Sequence, residues 1–243
     1  MNKLIVANWK MQLLPTEAQS LTNSFVKSLE FKKNKVVLCP DFLSLNLVAP
    51  LLMKTPIILG AQDVAAFTKG AYTGEVSAEA LAAVGVTYVL VGHSERRSYL
   101  QESDKLLAAK LKQALQFKLT PILCVGENAA ERKQGRANVV IRQQLKNALN
   151  TLTPKEIKKI YIAYEPVWAI GSGLSCDVEQ AIAMKQMIVD RCHKMGAPKM
   201  KVLYGGSVKA DNARFFLKSG AFDGLLVGGA SLEINEFQKI VSI

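Results

Sequence analysis

The chain has 243 residues, 49% hydrophobic and 21% charged, with 31 Lys+Arg against 20 Asp+Glu and a formal net charge of +11. This globular composition excludes a disordered chain; no apolar run nears the ~18 residues of a membrane span, and the four apolar residues before Asn8 fall short of the ~7–15 of a signal-peptide core. The cysteines form no C-x-x-C, so neither a zinc ribbon nor a disulfide framework is expected, and a reducing, cytoplasmic setting fits best.

In chain order, short β-rich apolar runs alternate with longer stretches of helical period. Strands are predicted at 4–8, 36–39, 57–61, 88–92, 121–125, 160–164, 201–204 and 225–227. Helices are predicted at 16–29, 44–53, 78–84, 105–117, 139–149, 178–195, 210–218 and 234–241. Thr16-Glu17, Ser77-Ala78-Glu79 and Asp177-Val178-Glu179 read as N-caps with acids in the first turn, and Pro154 opens a short turn. Strands nearly continuous in apolar residues are buried on both faces, as parallel strands are. Eight of them alternating with helices predict an α/β fold, a (β/α)8 barrel forming one domain over residues 1–243. An open doubly wound sheet alternates too, but the chain lacks a dinucleotide fingerprint.

Polar clusters end nearly every predicted strand: Asn8-Trp9-Lys10, Pro40-Asp41, Gln62-Asp63, Gly92-His93-Ser94-Glu95, Gly126-Glu127, Glu165-Pro166, Gly205-Gly206-Ser207 and Gly228-Gly229. In a parallel barrel all strand C-termini face one rim, so these clusters converge on one mouth.

Only two histidines occur. His193 lies in a charged helical stretch and reads as a surface residue. His93 stands where a strand stops and Ser94-Glu95 begin a helix, whose positive end disfavours the imidazolium. A neutral ring there can polarise a carbonyl, or serve only as a structural strand-end residue. Glu165 follows the apolar run 160–164, beside Tyr164 and Trp168. Closure of the next loop would desolvate it and strengthen it as a base; a salt-bridged rim carboxylate is the alternative. Glycine clusters at 171–173, 205–206 and 228–229 offer backbone N–H groups to a phosphate, and Lys10 adds a fixed positive charge.

P-loop and Rossmann motifs are absent, histidines 100 residues apart exclude H-E-x-x-H, and no histidine follows Ser207 as a hydrolase of the nucleophile-elbow class needs. The remaining inventory suits proton abstraction next to a carbonyl in a phosphorylated substrate, with no metal or cofactor. Basic residues are scattered and come without zinc-finger or aromatic-basic segments, so no nucleic-acid partner is expected.

Five segments carry a resemblance to a known family: Asn8-Trp9-Lys10-Met11, Gly92-His93-Ser94-Glu95-Arg96-Arg97, residues 163–171, Tyr204-Gly205-Gly206-Ser207-Val208 and Leu226-Val227-Gly228-Gly229. In their order and spacing the chain resembles the triosephosphate isomerases along essentially its whole length. The resemblance implies a TIM barrel and interconversion of dihydroxyacetone phosphate and D-glyceraldehyde 3-phosphate, in glycolysis and gluconeogenesis. It implies that Glu165 moves a proton between neighbouring carbons and that neutral His93 polarises the carbonyl. Asn8 and Lys10 then stabilise negative charge, Glu95 orients Lys10, and backbone groups at Gly171, Ser207, Gly228 and Gly229 grip the phosphate.

Residues 166–176 resemble a mobile lid, and residues 70–75 resemble a loop that inserts into a partner subunit beside Lys10. A homodimer through the loop around Thr73 is therefore expected, with triose phosphates as ligands and no membrane partner. Ser172 stands where threonine is usual, Asp63 and Gln12 where asparagine is common, and the hinge Leu174-Ser175-Cys176 differs from the commonest forms. Two other readings compete: a barrel enzyme for a longer sugar phosphate, disfavoured by the short lid, and a polyanion-binding surface around Lys32, Lys33 and Lys35.

Overall fold

The structure, a computed structural model, describes residues 2–28, 34–170, 176–218 and 221–243. Strands β1 (Leu4–Asn8), β2 (Lys35–Cys39), β3 (Ile58–Ala61), β4 (Tyr88–Val91), β5 (Thr120–Val125), β6 (Tyr161–Tyr164), β7 (Lys201–Tyr204) and β8 (Gly224–Val227) pair in sequence order. All pairs are parallel, and β8 closes on β1 with Leu4 opposite Gly224. The predicted (β/α)8 barrel is thus what the chain forms, and closure leaves no sheet edge exposed.

Side chains along a strand point alternately to its two faces. Leu4, Val6, Val37, Leu90, Ile122 and Leu226 fall in an apolar cluster built of strand-region residues alone, which is the barrel interior. The intervening Ile5, Ala7, Val36, Leu38, Val89 and Leu225 belong to a second, larger cluster shared with helix residues such as Phe25 and Leu111. Both faces of each strand are therefore buried, which is why the strands read as continuous apolar runs.

The outer layer consists of α1 (Pro15–Ser28), α2 (Leu45–Leu52), α3 (Ala78–Val84), α4 (Ser94–Tyr99), α5 (Asp104–Gln116), α6 (Ala129–Lys133), α7 (Ala137–Leu149), α8 (Pro154–Ile157), α9 (Val178–Lys194), α10 (Ala210–Lys218) and α11 (Ile234–Val241). Ser77 and Asp177 cap α3 and α9 as predicted, accepting from the N–H groups of Ala80 and Gln180. Thr16 is not a cap, because α1 already begins at Pro15. The Glu17 carboxylate takes that role and accepts from the Leu14 N–H at 2.7 Å. Helices α6 and α8 escaped prediction although each starts with a capping box, Asn128 with Glu131 and Thr153 with Glu156. Both are too short to show a helical period. No helix among the described residues is long and apolar enough to cross a membrane.

Candidate active site

Strand parity delivers the mouth. On β1 the inward positions Leu4 and Val6 lead to Asn8, and on β6 Tyr161 and Ala163 lead to Glu165. On β8, Leu226 leads to Gly228. On β4 the inward series Tyr88 and Leu90 leads to Gly92, so an unbroken strand would send His93 outward. Gly92 takes φ 72, a left-handed turn open to glycine, and His93 becomes the N-cap of α4.

That cap fixes the imidazole. Its Nδ1 accepts from the Glu95 N–H at 3.3 Å. The bond uses the Nδ1 lone pair and leaves Nε2 as the nitrogen carrying the proton. The Glu95 carboxylate lies 3.5 Å from the same Nδ1, too far and facing an occupied lone pair. Nε2 stands 3.3 Å from Glu165 Oε1.

Glu165 is 1% exposed. Its Oε2 accepts from the Ser94 N–H at 3.0 Å, while Oε1 has no hydrogen-bond partner. A buried carboxylate oxygen left empty is unfavourable, and such groups mark places where a structure holds something in reserve. Glycine sets where this carboxylate stands. A Cβ on Gly126 would lie 1.7 Å from the Glu165 carbonyl oxygen. Gln144 of α7 holds that glycine on both sides, accepting from its N–H and donating to its carbonyl, each at 2.9 Å.

Lys10 adopts φ 52, a left-handed conformation that costs a non-glycine residue about 1–2 kcal/mol. Two amide side chains hold it there. Asn8 Oδ1 accepts from the Lys10 N–H at 3.1 Å, and Gln62 Nε2 donates to the Lys10 carbonyl at 2.8 Å and to the Cys39 carbonyl at 3.0 Å. The Lys10 ammonium bonds Glu95 Oε1 at 2.6 Å. Strained backbone held by surrounding bonds is a mark of functional sites.

These groups border a cavity of about 630 Å³ whose wall includes Asn8, Lys10, His93, Ser207, Gly228 and Gly229. The structure thus brings most of the predicted set together. Glu165 adjoins His93 but is tucked beneath the rim against Ser94 and does not line the cavity, and neither does Glu95. Gly171 and residues 172–175 of the expected lid lie outside the described residues, as do Lys32 and Lys33. Among the described residues no group of His, Cys, Asp and Glu side chains could hold a metal ion.

The polar ends of Tyr164 and Trp168 face Glu127 rather than Glu165. Tyr164 has outward parity, and both side chains donate to Glu127 Oε1, at 3.2 Å and 2.9 Å. Arg132 donates to the same oxygen at 2.9 Å, with its guanidinium 4.6 Å above the Trp168 ring. Glu127 is fully buried and anchors the 3-10 turn Val167–Ala169, in the segment expected to form a lid. The neighbour of Glu165 is instead Cys124 inside the barrel. Burial, then the Glu165 carboxylate, pushes that thiol well above its usual range.

One layer out, four charges form a quartet, three of them buried, that sequence reading missed. The Lys110 ammonium, 2% exposed, meets both Asp63 oxygens at 2.8 and 2.7 Å and Glu102 Oε1 at 2.5 Å. Arg96 bridges the same two carboxylates at 2.9 and 2.8 Å. Burial pushes the Asp63 carboxyl up, against the pull of Lys110 and Arg96. For Glu102 burial again acts upward, but the bonds from Arg96 and Lys110 prevail and hold it below its usual range. The only signal in the sequence was the strand-end pair Gln62-Asp63.

Comparison with known proteins agrees with this geometry. A sequence model of the triosephosphate isomerase family matches residues 3–243. A triosephosphate isomerase of Caldanaerobacter subterraneus subsp. tengcongensis is 42% identical over 98% of each chain. One from Roseiflexus sp. is 43% identical over 98% of this chain and 96% of its own, and one from Aquifex aeolicus is 42% identical over 99% of each. The chain is a member of the triosephosphate isomerase family.

Proposed function

We propose that the protein interconverts dihydroxyacetone phosphate and D-glyceraldehyde 3-phosphate through an enediol(ate), a step that serves both glycolysis and gluconeogenesis. The observation that carries this is the approach of Glu165 Oε1, buried and without a hydrogen-bond partner, to within 3.3 Å of His93 Nε2 at the edge of the Lys10 cavity.

The substrate phosphate sits on the backbone N–H groups of Ser207, Gly228 and Gly229, joined by Gly171 of the lid. Its carbonyl oxygen faces the His93 Nε2–H and the Lys10 ammonium. Glu165 leaves the Ser94 N–H, turns into the cavity and takes the proton from the carbon beside the carbonyl. The C–H electron pair becomes the enediolate double bond, and the carbonyl oxygen gains charge that His93, Lys10 and Asn8 stabilise. His93 passes its proton to that oxygen and recovers one from the neighbouring hydroxyl. Glu165 returns its proton to the other carbon. Glu95 keeps the Lys10 ammonium in place. The lid covers an intermediate that would otherwise lose phosphate by elimination.

A homodimer in the cytoplasm fits the same reading. Met11, Leu14, Leu43, Tyr72 and Tyr99 are apolar yet exposed, and the Thr73 loop lies open to solvent with Phe67 stacked on Tyr72 at 3.8 Å. Exposed apolar side chains near this loop would be covered in such a dimer.

The test is a triose phosphate isomerisation assay on purified protein, with sedimentation of the same sample. Wild type should turn over both triose phosphates and sediment as a dimer. Glu165→Gln should lose several orders of magnitude in kcat while inorganic phosphate still binds. Undiminished turnover in that variant, or faster turnover of a pentose or hexose phosphate, overturns the reading.

A further inference from the structure

Beside Ser207, Gly228 and Gly229, three ionisable residues line the cavity: Lys209, Glu233 and Glu236. They differ in what they are bound to. Glu236 Oε1 is committed, accepting from the Ala210 N–H at 2.7 Å at the start of α10. Lys209 and Glu233 are exposed, and their charged groups enter no ion pair among the described residues. The backbone around Lys209 is nevertheless fixed. Asn212 Oδ1 accepts from the Lys209 N–H at 2.9 Å, and Asn212 Nδ2 donates to the Ser207 carbonyl at 3.0 Å. Lys209 therefore springs from the same closed turn as Ser207 and borders the same cavity.

Charge balance gives this lysine a task. The Lys10 ammonium is engaged by Glu95, and that pair is neutral as a whole. Without Lys209, the ionisable residues on this side of the cavity would be Glu233 and Glu236 alone, two carboxylates in the wall of a site for a doubly charged phosphate ester. Like charges in one cavity repel, and backbone amides bring only partial charges against them.

We infer that Lys209 is a substrate-binding residue whose ammonium supplies the unpaired positive charge in the wall of the phosphate pocket, with Glu233 opposing it. This rests on the isomerase reading above for its substrate, but phosphate affinity tests it separately. The lysine acts on the part of the substrate that does not react, so its contribution is the same in the ground and transition states and falls on KM rather than kcat. The long, flexible stem suits a mobile cation that follows an anion into its seat.

The experiment compares Lys209→Met, Glu233→Gln and, as a control of equal charge change, Lys112→Met on the distant helix α5. Inorganic phosphate is the probe, by calorimetry and by inhibition of turnover, with kcat and KM measured across a salt series. Lys209→Met should weaken phosphate binding and raise KM about three- to tenfold, the scale of one partly screened charge acting on a dianion. It should also flatten the salt dependence of kcat/KM. Glu233→Gln should tighten phosphate binding, and Lys112→Met should match wild type. Unchanged phosphate affinity in Lys209→Met, or an equal loss in Lys112→Met, overturns the assignment. If wild type fails to isomerise trioses while phosphate affinity still follows Lys209, the isomerase reading fails and this pocket stands. If wild type turns over and Lys209→Met equals it in both phosphate affinity and KM, only the role of Lys209 fails.

Discussion

Two charged clusters flank helix α4 and take neighbouring residues from it, Glu95 in one and Arg96 in the other, yet only one of them adjoins the cavity. In the quartet, Lys110 and Arg96 face Asp63 and Glu102, charge is balanced, and among its carboxylate oxygens only Glu102 Oε2 lacks a partner. At the mouth, the Lys10 side chain is 24% exposed, and Glu165 Oε1 is empty. Each cluster thus leaves one buried carboxylate oxygen unpaired, but only the mouth adjoins the cavity, where Lys10 and His93 stand in the wall. The quartet borders no part of that cavity and holds elements in place, whereas the unpaired oxygen beside His93 is within reach of a ligand, at some expense in stability.

The contrast can be broken by experiment, starting where the effect is largest. Glu165→Gln should abolish most of the rate and leave the unfolding midpoint in urea unchanged or raised, since the amide oxygen still accepts from Ser94. A large loss of stability would mean that Glu165 is a structural member after all. Lys110→Met should do the reverse. It leaves two buried carboxylates to share Arg96 alone and should cost about 3–5 kcal/mol of unfolding free energy, while the folded fraction keeps its kcat. Loss of kcat without loss of stability would dissolve the distinction between the clusters.

Asp63→Asn should cost less than Lys110→Met, because burial already disfavours the charged form of Asp63. Its pH dependence sharpens the point. A carboxyl raised on folding contributes stability that is complete below its unfolded value and is lost as pH rises through its folded value. Glu102, held down, contributes stability that is complete above its unfolded value and is lost as pH falls through its folded value. The two offset each other in wild type. Asp63→Asn leaves Glu102 alone, so its urea midpoint should fall more steeply than wild type on acidification below about pH 5. An identical slope would show that the two carboxylates titrate without influence on one another. The smallest effect is expected at an exposed cap. Glu156, held down by its bonds from Thr153, adds stability above its ordinary range that fades in acid. Glu156→Gln should remove that fading with little change in the melting temperature.

Much of the mouth was legible because it is local. Strand runs are continuous, so the first polar residue after each run had to lie at the rim, and alternation carried Asn8 and Glu165 inward without help from distant residues. His93 was readable for another reason: Gly92 before it and Ser94-Glu95 after it announce a turn into a helix. What escaped depends on partners far apart in sequence. Asp63 meets Lys110 across 47 positions, and Gln62 supports Lys10 across 52. No periodicity encodes such meetings. The rotation of Glu165 toward Ser94 and of Tyr164 and Trp168 toward Glu127 is a rotamer choice settled by three-dimensional packing. Thr16 misled because a proline can start a helix one residue earlier, and the acid two residues into α1 reached back to finish it.

The hydrogen atom that serves as the side chain of Gly126 has a consequence for variation. With the Glu165 carbonyl 1.7 Å from any added methyl, β5 and β6 could not stay in register. In a library of random codons, position 126 should tolerate nothing, just as if it carried the chemistry itself, although it would never touch a substrate. Intolerance to replacement is therefore no proof of direct participation, and a mutational scan of this barrel would outline the supports of the site as sharply as the site.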